Sequence, residues 1–110
     1  MPLPIRITET FLGNLADIES FLAASGYSIY YDHLIDRLYG TLIPTLQGYP
    51  EIGRLLIKRR GVYPNRVPAF LGTVREYILD PYIVLYNISP NSIDILYLFH
   101  QRQSLRFPEM

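Results

Sequence analysis

Arg75, Tyr77, Tyr82, Tyr86, His100 and Arg102 lie in the last third of the chain, on or beside three strand-like runs. Guanidinium groups pair with phosphates and phenol rings stack on bases, so this set suits a nucleic-acid backbone. It also holds the parts of a metal-independent RNA cleavage: a histidine as acid or base, and arginines against the charge that develops on phosphorus. Each residue has an ordinary role beside the chemical one. Tyrosine rings form core edges with their hydroxyls at the surface, and a histidine at a strand end hydrogen-bonds its surroundings. Between residues 54 and 75, Arg54, Lys58, Arg59, Arg60, Arg66 and Arg75 occur without one acidic side chain. A run of that sign meets an anionic surface or forms a solvated loop. Asp32 and Asp36, one helical turn apart, sit among His33 and Arg37 and read as a solvated face rather than an acid–base pair. No phosphate-binding glycine loop, nucleophile elbow or HExxH helix is present.

These residues need a scaffold, and 110 residues supply one domain, spanning 1–110. Hydrophobic residues make up 49% and charged residues 18%, a globular composition. The absence of cysteine excludes disulfide frameworks and thiolate chemistry. With only two histidines, no metal and no cofactor are expected. The longest apolar run is Ile95-Leu96-Tyr97-Leu98-Phe99, too short for a membrane span. No secretory signal pattern opens the chain, so a cytoplasmic location is expected. Net charge is zero but divided: residues 1–53 carry two basic and six acidic side chains, and residues 54–110 carry eight basic and four acidic.

Hydrophobic periodicity sets the order of elements. Residues 3–8 alternate around Ile5 and Ile7, as a short strand does. Thr8 is a helix N-cap, followed by Phe11, Leu15, Ile18 and Leu22 on one stripe, and Ser25-Gly26 ends that helix. Tyr27, Tyr31, Leu34, Leu38 and Leu42, broadened by Tyr30, Ile35, Tyr39 and Leu46, form a second stripe. The short connection makes the two helices an antiparallel hairpin. Pro44 predicts a kink or an early end, eased by the missing side chain of Gly40. After a Pro- and Gly-punctuated basic connection at 54–72 come strands at Thr73–Leu79, Tyr82–Ile88 and Ile93–Phe99, parted by turns at Asp80-Pro81 and Ser89–Ser92. The layout is α+β: a short N-terminal strand, a helical hairpin on an antiparallel sheet, and a C-terminal three-strand meander. The middle strand is apolar on both sides, with Tyr82, Val84, Tyr86 and Ile88 opposite Ile83 and Leu85. Its second face therefore needs a cover: the C-terminal Leu105 and Phe107, a second copy, or a partner.

Four segments in register carry a resemblance. The run 14–22 resembles the first helix of the ParE/RelE toxin superfamily of type II toxin–antitoxin (plasmid stabilisation) systems. The run 42–54, with Pro50-Glu51-Ile52-Gly53-Arg54, looks like that family's exit from its second helix. Val74-Arg75-Glu76 with Pro81–Tyr86 is similar to its arginine strand and Tyr-x-x-x-Tyr strand, and 93–102 to a last strand ending in His-x-x-Arg. The resemblance implies a toxin held by a cognate antitoxin. In the ParE branch it implies inhibition of DNA gyrase by binding, with DNA met only through the antitoxin or gyrase complex. The alternatives are a RelE-like, ribosome-dependent mRNA endoribonuclease using Arg75, His100 and Arg102, and a degenerate member that only binds its antitoxin. RelE-like nucleases place an arginine in the strand occupied here by Tyr82–Ile88, which has no basic residue, and this favours the ParE branch. The implied contact residues are Arg54, Lys58, Arg59, Arg60, Arg75, Tyr82, Tyr86, His100 and Arg102.

Overall fold

A computed structural model describes residues 3–56 and 73–101. Strand β1 (Ile5–Ile7) leads into α1 (Glu9–Ala24) and α2 (Ser28–Arg37). A π-helical segment, Leu38–Leu42, joins α2 to α3 (Ile43–Gly48), and a short 3-10 turn, Pro50–Ile52, follows. Strand β2 (Arg54–Leu55), β3 (Thr73–Leu79), β4 (Tyr82–Ile88) and β5 (Ile93–His100) complete a five-stranded sheet in the order β1-β5-β4-β3-β2. The architecture is the expected α+β one, and the meander strands match the sequence reading to within a residue. The sheet as a whole is mixed, because β1 joins the outer edge of β5 in parallel.

The Thr8 hydroxyl accepts from the Phe11 amide at 3.3 Å and donates to the Ile95 carbonyl at 2.8 Å, so one side chain caps α1 and anchors it to β5. At the other end Gly26, with φ of 80°, takes the left-handed conformation that favours glycine. The Tyr27 amide donates to the Leu22 carbonyl and the Gly26 amide to the Ala23 carbonyl, the paired bonds that close a helix on glycine.

Pro44 does not end the helical run, which passes through the π-helical segment into α3. Proline has no N–H to offer the Gly40 carbonyl, and the chain responds by widening one turn: the Ile43 amide bonds to Leu38, five residues back. Pro44 then sits in the first turn of α3, where its missing donor costs nothing. A Cβ on Gly40 would meet no atom within 4 Å, so Gly40 provides no steric relief.

The core lies between the helices and one sheet face. Phe11 and Leu15 of α1 meet Leu34, Leu38, Leu42 and Leu46, together with Leu79, Val84, Tyr86, Ile93, Ile95 and Leu98 from the sheet. The aromatic half of the second stripe departs from expectation. Tyr27, Tyr30 and Tyr39 are each about half exposed, while Leu34, Leu38, Leu42 and Leu46, with Tyr31 and Ile35 beside them, pack above the sheet. Beyond the sheet, Leu85 and Leu96 are buried within the single chain, so hiding them requires no second protein. Leu105 and Phe107, read as one cover for that face, lie outside the described residues.

The far face also holds a buried carboxylate. Asp94 accepts from Arg6 at 2.9 Å and from Ser92 at 2.8 Å. Burial pushes its pKa up, but the hydrogen bonds from Arg6, Ser92 and Asn87 and the Arg6 charge together outweigh burial and hold it below the usual aspartate value. A depressed folded-state value means that the carboxylate stabilises the fold above about pH 4 and that this contribution fades as pH falls further. Asp94→Asn is expected to lower the urea midpoint at pH 7, with the gap from wild type shrinking toward pH 2. A gap that stays constant with pH would remove Asp94 from the acid response.

Candidate functional site

The basic stretch leaves the sheet at β2 and rejoins it at β3, and those two strands pair with each other. Arg54 lies opposite Glu76 and Leu55 opposite Arg75, and the Leu56 amide donates to the Val74 carbonyl at 3.0 Å. An Arg54–Glu76 ion pair spans the same step. Both ends of the stretch are thus fixed at one edge of the sheet. Lys58, Arg59, Arg60 and Arg66 lie outside the described residues, as does Arg102.

Beneath this edge Tyr86 and Arg75 clasp the turn from Pro50 to Gly53. Tyr86 is completely buried, and its hydroxyl donates to the Pro50 carbonyl at 2.6 Å while accepting from the Gly53 amide at 2.9 Å. Burial raises its pKa, against the opposing pull of the Gly53 N–H and the Arg75 charge. The phenol therefore stays protonated at neutral pH, as a donor to Pro50 must. Arg75 lies across from Tyr86 on the neighbouring strand. Its Nη1 donates to the Gly53 carbonyl at 2.7 Å and to the Glu51 carbonyl at 3.2 Å. A Cβ on Gly53 would stand 2.5 Å from the Tyr86 hydroxyl and 2.7 Å from the Glu76 carbonyl. Its φ of −71° is open to any residue, so glycine is required here for space and not for conformation.

The geometry separates the residues that the sequence grouped together. Tyr86 holds the edge from below and offers no contact to a partner. Arg75 commits one guanidinium nitrogen, Nη1, to two backbone carbonyls, and its buried Nε has no hydrogen-bond partner among the described residues. His100 lies elsewhere, opposite Tyr82 across β4 and β5, with the two rings packed edge-on at 5.5 Å. Burial raises the Tyr82 pKa as well. Arg75 pairs with residue 86 and His100 with residue 82, on opposite sides of β4. Four residues along a strand and two strand spacings across it place their Cα atoms roughly 16 Å apart.

Gly53, Pro50 and Glu76 are the participants that residue-type reasoning passed over. Gly53 and Pro50 stand in the quoted Pro50–Arg54 run, whose glycine was the available signal. Asn14 was also missed: its Oδ1 accepts from the Leu98 amide at 3.0 Å, beside the β-bulge where β5 slips against β4. No sequence pattern announces such a contact. Above the clasp, Gly48, Tyr49, Pro50, Glu51, Ile52 and Ile88 line an open hollow of ≈ 600 Å³.

A family model described as the ParE toxin of type II toxin–antitoxin systems, parDE, matches residues 5–105. A solved structure described as the chromosomal ParDE TA system from P. aeruginosa contains a chain with the same fold. The TM-score is 0.62 at 16% identity, and the alignment covers 89% of this chain and 95% of that one. No curated protein matches the sequence.

Proposed function

The chain belongs to the ParE toxin family, making it the toxin of a type II toxin–antitoxin pair, and from that premise we propose that it acts by binding a DNA topoisomerase and is neutralised by a cognate antitoxin. The observation that carries this reading over RNA cleavage is the dispersal of the nuclease set. Strand β4 bears no cation, Arg75 is tied to Glu51 and Gly53, and His100 stands two strands away, packed edge-on against Tyr82. A developing phosphorane charge would lack its preorganised stabiliser. What the fold supplies instead is a basic stretch, Arg54 to Arg75, whose two ends pair with each other at the sheet edge. Between the engaged Arg54 and Arg75, the four cations Lys58, Arg59, Arg60 and Arg66 have no acid among them in sequence, which favours an anionic docking surface, such as acidic patches or DNA phosphates in the gyrase complex.

Wild-type protein is expected to block supercoiling of relaxed plasmid by gyrase. Neutralising Lys58, Arg59 and Arg60 together should weaken that inhibition on the order of tenfold at ~0.1 M salt, an ion pair with a partner at a solvated interface being worth about 0.2–1 kcal/mol. The difference should narrow toward ~0.5 M salt, where screening shortens the reach of each charge. In a translating extract the wild type should leave mRNA intact. Ribosome-dependent cuts that disappear in His100→Ala or Arg75→Ala would assign the protein to the nuclease branch instead.

A further inference from the structure

The turn from Tyr49 to Gly53 is held through its backbone. The Tyr49 amide donates to the Thr45 carbonyl at 2.7 Å, and the Ile52 amide to the Tyr49 carbonyl at 3.0 Å. The Tyr86 hydroxyl donates to the Pro50 carbonyl and accepts from the Gly53 amide, and Arg75 donates to the Glu51 and Gly53 carbonyls. The two largest apolar side chains of the turn nevertheless stand in solvent, Tyr49 at 71% exposure and Ile52 at 52%. Together with Pro50 and Ile88 they wall the open hollow. A turn that only closed the core would point such side chains inward, where burial is favourable. Here buried groups fix the backbone and leave an aromatic and a branched aliphatic side chain uncovered.

We propose that Tyr49 and Ile52 are the apolar anchors of the topoisomerase contact, and that Tyr86 is the positioning residue that preorganises them. The inference deepens the topoisomerase reading and rests on it. Charge alone falls short of a stable complex. An ion pair at a solvated interface multiplies affinity by at most about five, so Lys58, Arg59, Arg60 and Arg66 together give less than about a thousandfold. A micromolar complex needs about a millionfold. Interfaces find the remainder in a few aromatic anchors, tyrosine among the commonest. A side chain carried on a fixed backbone loses less freedom on docking, and the Tyr86 hydroxyl supplies that fixity. Arg54 follows Ile52 by two residues and opens the basic stretch, so the anchors stand at the root of the charges that steer the approach. Bare DNA has no apolar side chain for the hollow, so the surface docked here is protein.

The test measures binding of the full chain to gyrase at ~0.1 and ~0.3 M salt, where every variant is folded, and self-association by sedimentation. Tyr49→Ser with Ile52→Ser should weaken binding at least tenfold at both salts, because screening acts on charges and not on apolar contacts. The melting temperature of that pair should stay near wild type, both side chains being exposed. Tyr86→Phe should weaken binding at least threefold. Added to the serine pair it should cause no further loss, since it acts through those side chains. Ile95→Val, a core truncation away from the turn, should lose some stability yet bind as wild type. Full binding by the serine pair, a loss that vanishes at the higher salt, or an equal loss in Ile95→Val would overturn the proposal and leave the topoisomerase reading standing. Failure of the wild type itself to bind gyrase would overturn that reading, and the inference with it. Self-association that the serine pair abolishes would make a second copy the occupant, and would equally overturn the proposal.

Discussion

Gly53→Ala is expected to destabilise the fold by about 3 kcal/mol, at the upper end for overpacking a tight site. A fall of about 10–20 °C in melting temperature follows for a domain of this size. The added methyl would enter a space already occupied by the Tyr86 hydroxyl at 2.5 Å, the Glu76 carbonyl at 2.7 Å and Tyr86 Cε1 at 2.8 Å. None of these can retreat cheaply. The hydroxyl is bonded to Pro50 and Gly53, and the carbonyl belongs to β3 where it pairs with β2. Tyr86→Phe alone should cost about 1–3 kcal/mol, since it leaves the Pro50 carbonyl and Gly53 amide without their partner. The double variant should cost less than the sum, because removing the hydroxyl removes the closest contact of the new methyl. Circular-dichroism melting of the four proteins measures the cycle, and a loss below about 1 kcal/mol in Gly53→Ala would show that the clasp yields. Gly53 and Arg75 stand where the basic stretch leaves and rejoins the sheet, so the same variant should also weaken target binding.

Two phenylalanines on one helix provide the second large contrast. Phe11 is 2% exposed and Phe21 is 69% exposed. Phe11→Ala should cost about 3–5 kcal/mol, the lost transfer energy plus the cavity left among leucines. Phe21→Ala should stay within about 0.5 kcal/mol of wild type, because the surface side chain packs against little. Urea unfolding of the two variants checks both values. A large loss from Phe21→Ala would mean that its ring is covered in the folded protein.

Local periodicity and cap chemistry, both written in the sequence, determined the elements. Thr8, Ser25-Gly26, the leucine stripe through Leu46, and the turns at Asp80-Pro81 and Ser89–Ser92 act over a few residues, so the α+β order and the meander were legible without coordinates. The ParE-like resemblance was legible for the same reason, because its four segments are contiguous runs. Tertiary structure decided what distant backbone groups ask of a side chain. Tyr86 reads as a stacking ring on a binding strand until Pro50 and Gly53, more than thirty residues earlier, are found on its hydroxyl. Arg75 reads as a cation for an anionic target until two carbonyls take its guanidinium. Tyr27 and Tyr30 share helical spacing with the core leucines yet remain in solvent, because Leu34, Leu38, Tyr31 and Ile35 already take the places against the core. Residue type and spacing specify which chemistry is available. Whether a group is free to use it depends on hydrogen-bond partners and packing volume contributed by chain far away in sequence.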